Sequence, residues 1–125
     1  MKYKRFEELP CWNKARELCQ AVFELTSQGG FLRNFSLRDQ ILRAAGSVMD
    51  NIAEGFDDGS TREFIRFLGY AQRSCSEVQS QLYRAMDSKY ITQDQFDQMY
   101  EIASECRKQI KGFRKYLRDT NRNVG

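Results

Sequence analysis

The chain has 125 residues, 41% apolar and 30% charged, with one proline and no histidine. That is enough to bury one ordinary core and too apolar for a disordered polymer, and the missing imidazole excludes the usual Ser-His triads and His-ligated metal sites. The net charge of +3 is unevenly placed: 13 basic and 16 acidic residues precede Arg107, whereas Arg107 to Gly125 carries seven basic residues against Asp119 alone.

The start, MKYKRFEELP, has basic residues but no apolar h-region. No apolar run approaches the ~20 residues that cross a bilayer, so a cytoplasmic protein without membrane contact is expected. Cys11, Cys19, Cys75 and Cys106 show no CxxC spacing, which points to small buried thiols and away from zinc or a disulfide framework.

The first helix begins at Pro10, whose missing amide hydrogen costs nothing at a first helical position. Trp12, Ala15, Cys19 and Val22 step by three or four, with Leu18 and Leu25 widening the stripe, and Gly29-Gly30 ends it. Residues 31–35 read as a connection, and Ser36 with Asp39 reads as the next helix start. The second helix places Ile41, Ala45, Val48 and Ile52 on one seam, with Gly55 as the residue that closes it.

Ser60-Thr61-Arg62-Glu63 has the form of a capping box. Phe64, Leu68, Ala71, Cys75, Val78, Leu82 and Ala85 then alternate by four and three. Thr92 and Gln95 repeat the capping logic before Phe96, Met99, Ala103, Cys106, Ile110, Phe113 and Leu117, which step the same way. Both are packing seams. Residues 1–125 therefore predict one all-α domain, an antiparallel up-down four-helix bundle with helices near 10–28, 37–54, 61–87 and 93–119 and a short C-terminal tail, because short connections reverse neighbouring helices.

Phe6 to Leu9, CWNKARELC at 11–19, SVMDNIAEG at 47–55, EFIRFLGYAQRSCSEVQSQL at 63–82 and KYIT before the last helix resemble the four-helix-bundle proteins encoded in bacterial 23S rRNA intervening sequences. Members often carry a proline shortly before the asparagine, where this chain has Met49 or Asp50, so a kink there is not implied. The family is distantly similar, in topology and homopentameric assembly, to the nucleic-acid-binding accessory protein of diversity-generating retroelements. The resemblance implies the bundle fold and a five-membered ring; it implies no defined activity.

Three groups of residues compete for a functional role. Asn51 borders the second seam while Glu54 lies outward, so the two do not converge on one substrate atom. They read, with Gly55, Ser60, Glu63 and Arg66, as a structural motif in which Asn51 bonds backbone at a neighbouring helix end and Glu54 pairs with Arg62 or Arg66. Glu54, Asp57, Asp58 and Glu63 match no calcium loop and read as a solvated acidic turn, so neither metal nor cofactor is expected.

The C-terminal cations are the functional candidates. Arg107, Lys111, Arg114 and Arg118 form one stripe, and Lys108, Lys115 and Arg122 the adjacent row. Such rows suit a phosphate backbone, RNA or DNA, without base-specific readout. Leu42, Met49, Ile65, Phe67 and Tyr70 widen the apolar arc beyond one seam and predict a self-association surface. The expected function is non-enzymatic: a homo-oligomer that binds nucleic acid through basic helix ends, with a protein-binding adaptor ring as the alternative. No small-molecule substrate is evident.

Overall fold

A proline opens the first long helix and polar caps open the others. In the computed structural model, residues 2–124 are described, with side chains from 2 to 120. A single 3-10 turn at Phe6–Glu8 leads into α1 (Pro10–Thr26); α2 (Gly29–Arg33), α3 (Phe35–Asp57), α4 (Thr61–Asp87) and α5 (Gln93–Val124) follow. No strand occurs among the described residues, so the chain is all-α.

The caps are specific. Asn34, not Ser36, starts α3: its Oδ1 accepts the Leu37 amide at 3.0 Å, and its Nδ2 donates to the Tyr90 hydroxyl at 3.1 Å. An asparagine can serve both ends of that contact, which a serine hydroxyl two residues later cannot reach. Ser60 Oγ accepts the Glu63 amide at 3.3 Å, but the Glu63 carboxylate turns to Arg66 at 2.6 Å instead of reaching back. At α5 the box closes in both directions: Thr92 Oγ1 accepts from the Gln95 amide at 3.1 Å and Gln95 Oε1 from the Thr92 amide at 2.9 Å.

Residues 29–33 fold into α2 where the sequence suggests a helix end at Gly29-Gly30 and a plain connection over 31–35. The reason is tertiary: a helical turn there drives Phe31 to complete burial, with its ring 5.8 Å from Tyr90. Gly55 is a second correction. The helix runs through it to Asp57, and the position is buried. A Cβ on Gly55 would lie 2.6 Å from Phe67 Cβ and 3.0 Å from Phe64 Cδ1, so glycine is there to let α3 and α4 touch. The positive φ of this turn belongs to Gly59, at +83°.

The contacts between long helices run from α1 to α3, α3 to α4, α4 to α5 and back to α1. Their shared core holds Leu18, Val22, Ile41, Ile52, Leu68, Leu82 and Ile110 without solvent exposure. All seven seam residues read on α4 are buried, as are those on α3. On α1 the seam is shifted: Cys11, Ala15, Leu18, Val22 and Leu25 are buried, while Trp12 and Cys19 sit at its edge. All four thiols are free. Burial pushes the Cys11 thiol up to about 12, and a hydrogen bond with Cys75, then burial, raises that of Cys106; these are inert core groups.

Candidate nucleic-acid interface

Outside its buried seam, α4 carries a second row at the same four-three spacing: Ile65, Gly69, Gln72, Ser76, Gln79 and Tyr83. The corresponding row of α5 is Tyr100, Ser104, Arg107, Lys111, Arg114 and Arg118. Because the two seams pack together, the two rows face each other along one groove. The contacts pair them in opposite order. Gln79 Nε2 donates to Ser104 Oγ at 2.8 Å, Arg107 Nη1 to Ser76 Oγ at 3.2 Å, and Arg114 Nη1 to Gln72 Oε1 at 3.2 Å.

Arg114 is the best fixed of these cations. Its Nε also donates to the Ile65 carbonyl at 3.0 Å, and its guanidinium lies on the bare backbone of Gly69, where a Cβ would come within 2.9 Å of Nη2. Partial burial, followed by the nearby charges of Arg118 and Arg73, lowers its pKa from the usual arginine value. A neighbourhood that disfavours its charge is one that an anion would relieve.

The groove formed here has a volume of about 600 Å³, and its walls carry Arg73, Arg107, Lys108, Lys111 and Arg114 beside Gly69, Gln72 and Ser76. Among the described residues five cations face it and no carboxylate does. Among the described residues neither Lys108 nor Lys111 is tied down by an ion pair or side-chain hydrogen bond, so both ammonium groups are available. Arg73 leans on the Tyr70 ring, with Cζ 5.3 Å from its centroid.

The expected cation set is thus regrouped. Arg107, Lys108, Lys111 and Arg114 come together in the groove, and Arg118 lies beside Arg114. Lys115 is outside the lining and pairs with Asp119 at 2.9 Å, and the Arg122 side chain lies outside the described residues. Sequence reasoning missed Arg73, Gln72 and Ser76, because they belong to a different helix; the polar row one step off the α4 seam was the available signal.

The structural motif is partly redrawn. Asn51 does not bond a neighbouring helix end: its Nδ2 donates to the Ser47 carbonyl and hydroxyl, each at 2.8 Å, and Ser74 Oγ donates to Ser47 Oγ at 2.9 Å. The carbonyl and hydroxyl of Ser47, four residues back on the same helix, are simply nearer, and the two serine hydroxyls carry the link across to α4. Arg66 pairs with Glu63, and among the described residues Glu54 forms an ion pair with neither Arg62 nor Arg66; Glu54, Asp57 and Asp58 are all exposed. No group of three His, Cys, Asp or Glu residues that could hold a metal ion occurs among the described residues, and no helix among them is long and apolar enough to cross a membrane.

The five apolar candidates separate into different places. Leu42 and Met49 line a groove of about 960 Å³ between α1 and α3, beside Cys19 and the 59%-exposed Phe23. Phe67 packs over Gly55 and Tyr70 stands edge-on to it at 5.7 Å, while the Ile65 carbonyl serves Arg114.

The family model of the 23S rRNA-intervening sequence protein matches residues 7–112. The chain belongs to this family. A crystal structure of a protein of unknown function from the S23 ribosomal protein family of Bacteroides thetaiotaomicron is similar, with a TM-score of 0.77 and 24% identity over 84% of this chain and 95% of the other. That likeness concerns the fold alone. No curated protein matches the sequence.

Proposed function

We propose that the four long helices form an antiparallel up-down bundle and that the α4–α5 groove binds nucleic-acid backbone, in a non-enzymatic, self-associating cytoplasmic protein. The opposite order of the α4 and α5 pairings supports the arrangement. The observation that carries the function is the groove itself: among the described residues five cations converge without a carboxylate, in a chain whose other residues are net acidic. Lys108 and Lys111 act as mobile point charges and Arg107 and Arg114 as forks held by Ser76 and Gln72, an arrangement that neutralises phosphates along a strand.

Self-association is assigned to the apolar α1–α3 groove with Leu42, Met49 and Phe23. A ring of five follows from the family resemblance, and repetition of the basic groove around such a ring would raise avidity without new contacts. The family description refers to intervening sequences in 23S rRNA and names no ligand.

The test is charge reversal at Lys108→Glu and Lys111→Glu, which touches no internal hydrogen bond. The double variant should keep its helicity and lose retention of RNA and DNA on filters at low salt. Unchanged retention would remove the groove from the account, and capture of a protein partner unaffected by the reversal would favour an adaptor role.

A further inference from the structure

The lining of the basic groove ends at Ser76 and Arg107, but the two rows that flank it continue. Moving along the same two rows, Gln79, 5% exposed, bridges α4 to Ser104 and to the Tyr100 carbonyl at 3.4 Å. The next pair is aromatic. Tyr83 is 53% exposed, and its ring sits 4.8 Å from Phe96 and 6.0 Å from Tyr100, while Phe96 and Tyr100 stack at 5.4 Å with 30° between planes. Phe96 is buried, so Tyr83 stands on a fixed base with much of its ring in solvent.

Tyr83 is seven residues from Ser76 and Tyr100 seven from Arg107, about two helical turns in each wall. At 1.5 Å per residue this puts the ring cluster about 10 Å from the nearest groove cation. Cationic channels with an aromatic ring alongside are how proteins hold single strands: charge takes the phosphates, and the ring takes an unpaired base of any identity. A duplex keeps its bases stacked on one another and has none to offer the ring. Past the rings, Asp87 on α4 and Asp97 on α5 are exposed carboxylates, positions that add no further cation to these two rows.

We infer that the ligand of the α4–α5 groove is a single-stranded polynucleotide, with phosphates over Arg73, Arg107, Lys108, Lys111 and Arg114 and one base stacked on Tyr83. This rests on the backbone-binding reading above and adds the strand state and the stacking residue. An acidic peptide would satisfy the cations but leaves the ring without a planar partner.

The experiment measures affinities of the full chain for a 12-nucleotide RNA, the same strand with abasic sites, and a 12-base-pair duplex. Tyr83→Ala should weaken binding of the base-bearing strand by about 5- to 20-fold, leave the abasic strand and the duplex unchanged, and keep the salt slope. Tyr83→Phe should retain wild-type affinity. If Tyr83→Ala binds the base-bearing strand as the wild type does, or loses the abasic strand equally, stacking is overturned. Lys111→Gln separates the two levels: weakened binding there, with Tyr83→Ala unaffected, leaves the groove standing, whereas no effect of either variant removes both. Displacement of the RNA by polyglutamate at equal charge overturns the inference in favour of an acidic protein.

Discussion

The α4–α5 face and the α1–α3 face are built on equivalent seams and differ in what borders them. Beside the first lie Arg73, Arg107, Lys108, Lys111 and Arg114; beside the second lie Phe23, Leu42, Met49 and the Cys19 thiol, which donates to the Ala45 carbonyl at 3.0 Å. The interior positions beneath both are interchangeable in kind: Leu68, Cys75 and Ile110 under one, Leu18, Val22 and Ile41 under the other, all without exposure. In this molecule the seam determines that helices pack, and the row one step away sets the chemistry of each surface. Substitutions under the two faces should therefore change stability, and substitutions at their borders should change binding.

The largest effect is expected from the shared interior. Leu68→Ala removes a fully buried side chain and should cost about 3 kcal/mol in urea unfolding, which would weaken both faces together. Next comes Gly55→Ala. The new methyl meets Phe67 Cβ and the Phe64 backbone, the latter at 3.3 Å, so α3 and α4 must part at a cost of about 2 kcal/mol; a variant as stable as the wild type would show that this contact yields easily.

The interior also has a pH signature. The Cys11 thiol is raised from 9.0 to about 12 by burial, so the folded chain holds a proton that the unfolded chain releases above pH 9. Its contribution is complete below pH 9 and is lost as pH rises toward 12, by about 1.4 kcal/mol for each pH unit. Melts across that window should fall less steeply for Cys11→Ala than for the wild type, and equal slopes would place the thiol in water.

At the borders the order reverses. If the chain self-associates through this face as proposed, Leu42→Glu with Met49→Glu should shrink the particle seen by ultracentrifugation while the far-ultraviolet spectrum stays the same; an unaltered particle would contradict self-association through the α1–α3 groove. The smallest stability change, within about 0.5 kcal/mol, is expected for Lys111→Gln, an exposed side chain.

How much of this was legible from sequence follows the same division. The seams of α4 and α5 could be read directly, since each repeats its apolar residues by four and three from its capping box onward. Residues 29–33 could not, because their helix exists to bury Phe31 against Tyr90, a partner 59 positions away. Gly55 looked like a helix end because a glycine after a long amphipathic stretch usually is one, and only the proximity of Phe67 shows otherwise. The stripe of Arg107, Lys111 and Arg114 was visible as half of a site. Its other wall, with Arg73, Gln72 and Ser76, carries no distinctive pattern of its own and becomes part of a groove only when α4 packs on α5.

The most direct test of the α4–α5 groove as a phosphate site is the salt dependence of its affinity for a single-stranded 12-mer. Five neutralised phosphates predict a slope of log K against log salt of about −3.5, reduced by about 0.7 in Lys111→Gln. A slope near zero, or the same slope in the wild type and the variant, would contradict it.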